Sequence, residues 1–162
     1  MRIGIVSDTH NHLRNVGRIV ELFNAAGVSR VVHTGDITQA KTLHALSPLT
    51  CPVVGVYGNN DLERTSLEEA AEQLSFQLVD PPLRLCWAER EIVVVHDPRD
   101  LAELELGSGT LALHGHTHRT TEEWQQGGVL AFNPGECAGM LEGRNTIGIV
   151  DLAQLGVELI QF

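Results

Sequence analysis

The chain has 162 residues, a formal net charge of -10 at pH 7 and 43% apolar residues, the size and make-up of one globular domain over residues 1–162. That acidity works against long-range attraction to long nucleic acids or anionic membranes, and no apolar run reaches the roughly 18 residues of a membrane span. Cys51, Cys86 and Cys137 are odd in number and form no CxxC pair, which argues for a reducing compartment, with each cysteine expected as a small buried hydrophobe.

The N-terminal run Met1-Arg2-Ile3-Gly4-Ile5-Val6 has no separate charged head, apolar stretch and cleavage site. No signal peptide is therefore expected, and the cytoplasm is the expected compartment. Residues 3–7 read as a strand. Val16, Ile19, Val20 and Phe23 then recur at helical spacing, with Gly27 as the stop. A strand over 31–34 ends at Gly35-Asp36, and a helix over 38–47 closes before Pro48. A strand over 53–57 ends at Gly58-Asn59 and is followed by an acidic helix over 62–74. This β-α-β-α-β order implies right-handed crossovers and a parallel sheet. The second half is richer in strands, at 76–79, 83–87, 92–96, 111–114, 129–132, 146–151 and 157–161. A short helix is expected over 100–106. The pattern predicts a sheet-rich α/β domain, with two packed sheets and helices outside.

The chemistry is concentrated in five strings, each closing an apolar run. They are Ser7-Asp8-Thr9-His10, Gly35-Asp36, Gly58-Asn59-Asn60-Asp61, His96, and His114-Gly115-His116-Thr117-His118. In an extended strand, residues i and i+2 point to one side, so Asp8 pairs with His10, and His116 with His118. Taken alone, Asp8 and Asp36 also suit helix N-caps, Asn59 and Asn60 suit turns, and His96 suits a core histidine. His114 shares the parity of its neighbours but reads as packing or as support behind a ligand. Ligands of open α/β sheets bind at the carboxyl ends of strands, and all five strings fall there. Two Asp, four His and one Asn then supply seven side chains. If Asp36 bridges, two metals have four protein ligands each. Their charge of about +4 against -2 from the carboxylates leaves a cationic pocket for phosphate.

The series SDTH, GD, GNND, H and GHTH resembles the calcineurin-like metallophosphoesterases, and within them the small prokaryotic phosphodiesterases. With Asn133-Pro134-Gly135 the likeness spans nearly the whole chain. It implies a four-layer α/β/β/α sandwich of two mixed sheets flanked by helices. It also implies one metal on Asp8, His10, Asp36 and His118, and another on Asp36, Asn59, His96 and His116. Three positions depart from the family pattern. Asn60 stands where many members carry a leaving-group histidine, Asp97 where many have Gly, and Gln39 where a second Asp would complete GDxxD.

The resulting expectation is a phosphodiesterase in which a metal-bridging hydroxide attacks a small phosphate ester, with Asn59 and Asn60 steadying the charged oxygens. Mn is the expected metal, with Ni, Fe or Zn as substitutes. The competing expectations are a non-catalytic scaffold of the same fold and a nuclease acting on short oligonucleotides. A homo-oligomer is compatible with the sequence.

Overall fold

The computed structural model describes residues 1–140 and 143–162. Along the described residues run β1 (Arg2–Val6), α1 (Leu13–Ala26), β2 (Arg30–His33), α2 (Ala40–Leu46), β3 (Val53–Val56), α3 (Arg64–Leu74) and β4 (Gln77–Val79). After them come β5 (Leu83–Trp87), β6 (Arg90–Val94), a 3-10 helix (Pro98–Glu103), β7 (Leu111–Leu113) and β8 (Thr121–Gln125). The last three strands are β9 (Val129–Asn133), β10 (Thr146–Asp151) and β11 (Gly156–Gln161). One sheet has the order β11-β10-β1-β2-β3-β4 and the other β5-β6-β7-β9-β8. Both are mixed. In the first, β1 to β4 pair in parallel while β10 and β11 run antiparallel. In the second, β6, β7 and β9 are parallel between antiparallel edges.

Strand parity explains the layers. Ile3 and Ile5 of β1 join Val32, Val54, Leu111, Leu113 and Phe132 in the core between the sheets. Val6 points the other way and packs with Ile19 and Phe23 of α1. A Cβ on Gly4 would strike the Phe23 ring, so the bare glycine lets helix and sheet close together. Burying a side chain the size of Phe23 contributes roughly 1.5–3 kcal/mol. Gly27 caps α1 at φ 62°, a left-handed turn that glycine adopts without steric cost.

The two sheets flanked by helices are those expected from the resemblance. On the outer face of the second sheet, Leu101 of the 3-10 helix packs on Val93, Val95, Ala112 and Val129. The short helix expected over 100–106 is this element. It starts earlier, at Pro98, because the Asp97 carboxylate accepts from the Arg99 amide and caps it.

Two expectations fail. β8 was not anticipated, since its sequence Thr-Glu-Glu-Trp-Gln is largely exposed and lacks an apolar face. It is a sheet edge, held antiparallel to β9 across a turn in which Gly127 and Gly128 both have positive φ. Cys86 is exposed, whereas Cys137 is buried and Cys51 half-buried. Cys86 sits on the edge strand β5, where alternate residues face solvent.

Candidate metal centre

The five strings meet at one end of the two sheets, just past the carboxyl ends of β1, β2, β3, β6 and β7. Strand alternation does not aim them, contrary to the expectation from the sequence. β1 stops at Val6 and β7 at Leu113, so both pairs lie in turns. Asp8, His10, Asp36, His116 and His118 have φ of 50, 39, 58, 67 and 57°. Left-handed backbone is uncommon for residues with a Cβ and gathers at functional sites. Cross-links between turns hold it. The Asp8 amide donates to the Gly35 carbonyl (3.1 Å) and the His10 amide to the Asp36 carbonyl (3.0 Å). The His116 amide donates to Asp8 Oδ2 (3.1 Å).

Asp8, His10, Asp36 and His118 each offer one ligand atom, all within 4.8 Å of one another. His118 Nε2 lies 3.4 Å from Asp8 Oδ1, and His10 Nε2 lies 3.4 Å from Asp36 Oδ2. A second group adjoins it. Asn59 Oδ1 is 3.0 Å from His96 Nε2 and 2.9 Å from His116 Nδ1, and His96 Nε2 is 3.4 Å from Asp36 Oδ1. Asn60 clamps Asp36 with its backbone amide (2.9 Å to Oδ1) and its side-chain amide (2.8 Å to Oδ2). The structure thus brings all seven candidate ligands and Asn60 together.

The donor chemistry suits a divalent cation. Asp8 Oδ1 is buried with no hydrogen-bond partner, an arrangement that is costly unless a positive charge faces it. His10 Nε2 and His118 Nε2 face each other at 3.3 Å. The His96 Nδ1–H donates to the Thr34 carbonyl (2.9 Å), which leaves Nε2 as the ligating atom and points it toward Asn59 Oδ1 and Asp36 Oδ1. Metal-binding histidines are commonly oriented by this kind of backbone bond, and nitrogen and oxygen donors without thiolate suit Mn, Fe, Ni or Zn.

Two motif glycines keep the space open. A Cβ on Gly58 would overlap the Asp36 carboxylate, and one on Gly115 would overlap Ser7 Oγ and crowd Asp8 Oδ2. Their role is close approach, since neither is among the positive-φ glycines.

Burial pushes the Asp8 carboxyl up, against the Ser7 hydrogen bond and the nearby His96 and His118. Burial also works against the charged form of Asp36. There the hydrogen bonds from His96 and Asn60 prevail and hold its carboxyl well below the ordinary value. His96 is raised, because the Asp36 hydrogen bond and charge overcome its burial. Asp97, the departure from Gly, is held at about 2, first by hydrogen bonds from the Arg99 side chain. Its charge is therefore compensated in place.

His33 lies behind the centre, fully buried. Its Nδ1 accepts from the Gly35 amide (3.2 Å), so its Nε2–H donates to Thr9 Oγ1 (3.1 Å). Burial lowers it to about 3. As pH falls below about 6.5, the unfolded chain takes up this proton first, so stability is lost toward about pH 3 at up to about 1.4 kcal/mol per unit. Urea unfolding of chelated protein is expected to show a loss of about 2 kcal/mol between pH 7 and pH 5 from this group. His33→Gln should remove most of that difference; an unchanged pH dependence would contradict the assignment.

Several further residues support the ligands from behind. Asp61 is buried and accepts from the amides of Gly58 (2.6 Å), Asp36 (3.1 Å) and Thr38 (2.5 Å). It ties the GD and GNND turns into one unit. Thr34 Oγ1 donates to Ser7 Oγ (2.6 Å), and Ser7 donates to Asp8 Oδ2 (2.5 Å). Asn133 Nδ2 donates to the Gly115 carbonyl (2.9 Å) and Thr117 Oγ1 (3.1 Å), securing the GHTH turn. Ser7, Asp61 and Asn133 stand inside the SDTH, GNND and NPG motifs, so their position is a usable signal; Thr34 carries none. His114 is buried beside Thr121 and Asn133, behind the ligands. Gln39 turns away and donates to Glu63.

Comparison with known proteins agrees with this geometry. The model of the calcineurin-like phosphoesterase superfamily domain matches residues 1–155. Phosphodiesterase MJ0936 of Methanocaldococcus jannaschii is 36% identical over 156 residues, covering 93% of this chain and 93% of the relative. Phosphodiesterase YfcE of Escherichia coli K12 is 26% identical over 152 residues, covering 83% of this chain and 78% of the relative. A solved structure described as a novel archaeal phosphodiesterase superposes with a TM-score of 0.90 at 32% identity over 100% of both chains. Motif order, fold and a partly buried cluster whose donors suit a cation therefore lead to one assignment: the chain belongs to the calcineurin-like phosphoesterase superfamily and is a metal-dependent phosphoesterase.

Proposed function

We propose that the chain is a single-domain phosphodiesterase with two metals, acting on small phosphate diesters. One cation would be held by Asp8, His10, Asp36 and His118, and the other by Asp36, Asn59, His96 and His116. The observation that carries this reading is the position of Asp36. Its Oδ2 faces His10 and its Oδ1 faces His96, both at 3.4 Å, so one carboxylate stands between two ligand groups.

Divalent cations bound there supply Lewis acidity, which lowers the pKa of water and offsets charge on phosphate. The residues do the rest. Thr34 orients His96, Asn60 holds both oxygens of Asp36, and the amide groups of Asn59 and Asn60 steady the charged phosphate oxygens. Mn is the metal we expect, with Ni, Fe or Zn as substitutes. The leaving oxygen takes its proton from solvent.

A diester substrate is supported by the names of the relatives from M. jannaschii and E. coli. A net charge of -10 disfavours long nucleic acids. Among the described residues, no helix is long and apolar enough to cross a membrane.

The test is reconstitution of chelated protein with Mn, Ni, Mg or Zn. It joins elemental analysis to turnover of diesters, monoesters and cyclic nucleotides. Two metals per chain and a preference for diesters are expected. One metal per chain at full activity, or a preference for monoesters, would overturn the reading.

A further inference from the structure

Beside the metal centre, on the His116 side, lies a recess of about 500 Å3. Asn59 and His116 line it together with Tyr57, Arg64, Asp97 and Arg99. Because Asn59 and His116 belong to both places, an ester group of a phosphate bound at the centre would have this recess beside it.

The recess contains two guanidinium groups, which at first sight suit a second anionic group. Their surroundings argue otherwise. Arg64 Nη2 donates to Asp80, and Arg99 donates to both oxygens of Asp97 from Nε and Nη2. Each guanidinium thus already donates to a carboxylate. With Asp100 also on the wall, three carboxylates face two guanidiniums. A further phosphate or carboxylate brought in on the substrate would meet more carboxylates than guanidiniums among the side chains of the wall.

A flat face remains available. The Arg64 guanidinium lies over the Tyr57 ring at 3.4 Å from its centroid. Tyr57 is buried, at 5% exposure, so the ring is a fixed floor. Arg64 opens α3, which holds its backbone in place. The Arg64 Cζ sits over the ring, its side chain keeps 35% exposure, and it lines the recess. Arginine stacks on aromatic rings through its planar, weakly hydrated head, whereas lysine offers them only a point charge.

We propose that this recess is a specificity subsite for an uncharged aromatic ester group, with Arg64, laid on Tyr57 and tied by Asp80, as its stacking platform. The inference rests on the phosphodiesterase reading and names the class of substrate it selects.

The test uses the Mn-loaded full chain and calorimetric dissociation constants for four phosphonates: methyl, phenyl, cyclohexyl and 4-carboxyphenyl. Phenylphosphonate is expected to bind roughly fivefold more tightly than cyclohexylphosphonate, the size of a cation–π contact at a partly exposed site. The 4-carboxyphenyl compound should bind several-fold more weakly than the phenyl one. Arg64→Lys keeps the charge and the Asp80 partner but removes the plane. It should lower the phenyl-to-cyclohexyl ratio from about five to about two, the remainder from a point charge without a plane, while leaving methylphosphonate, which has no ring to stack, unchanged. A ratio near one in the unmodified protein, an intact ratio in Arg64→Lys, or tighter binding of the carboxylated compound would overturn the proposal. Turnover assayed in parallel separates the two ideas: diester hydrolysis with a flat ratio removes only the subsite, whereas a monoester preference removes the reading beneath it.

Discussion

Asp36→Ala is expected to lower kcat on a diester by about a thousandfold or more. A cation contributes several kcal/mol of charge stabilisation in such reactions, and about 4 kcal/mol corresponds to a thousandfold in rate. Asp36 faces both ligand groups, through Oδ2 to His10 and Oδ1 to His96. Its loss should empty both. His118 faces only the first group, beside Asp8 and His10, so His118→Ala should lose less metal and less rate. Elemental analysis alongside kinetics decides the matter. Two full metals in Asp36→Ala would refute its place between the groups, and equal losses in the two variants would refute the ranking.

The second large effect concerns the leaving group. An amide at position 60 cannot protonate a departing alkoxide, whereas a positioned general acid contributes about 10²–10⁴-fold. The rate of the unmodified protein is therefore expected to fall steeply as the leaving-group pKa rises, and aryl esters should far outpace alkyl esters. Asn60→His should raise kcat/KM for alkyl esters by about a hundredfold with little change for aryl esters. The substitution also gives up the side-chain bond to Asp36 Oδ2 while keeping the backbone bond to Oδ1. Metal content should be measured in the same samples. Equal leaving-group slopes in the two proteins at equal metal content would show that position 60 is not where the proton is delivered.

Much of this protein was legible along the chain because its signals are local. The helix of Val16, Ile19, Val20 and Phe23, the stop at Gly27 and the parallel β-α-β order follow from periodicity and turn chemistry. The ligand strings were visible as well, since polar residues at the ends of apolar runs stand out. Where no apolar face existed, the signal failed. β8 has an almost wholly exposed sequence and is a strand only because β9 supplies its partner. Cys86 is exposed because β5 is an edge, which spacing along the chain does not reveal.

Which residue types reach the sheet ends, and in what order, is written in the chain, and with them the class of chemistry. How they converge is a property of the folded molecule. The Asp8–His10 and His116–His118 pairs are aimed by left-handed turns rather than strand alternation, and those turns are held by bonds between segments distant in sequence, from His10 to Asp36 and from His116 to Asp8. Asp61 and Asn133 tie the turns together, and Asp97 is neutralised by Arg99. Propensity and periodicity report what a segment does with its own neighbours. Buried charge and strained backbone are settled by the partners that packing brings within a few ångströms.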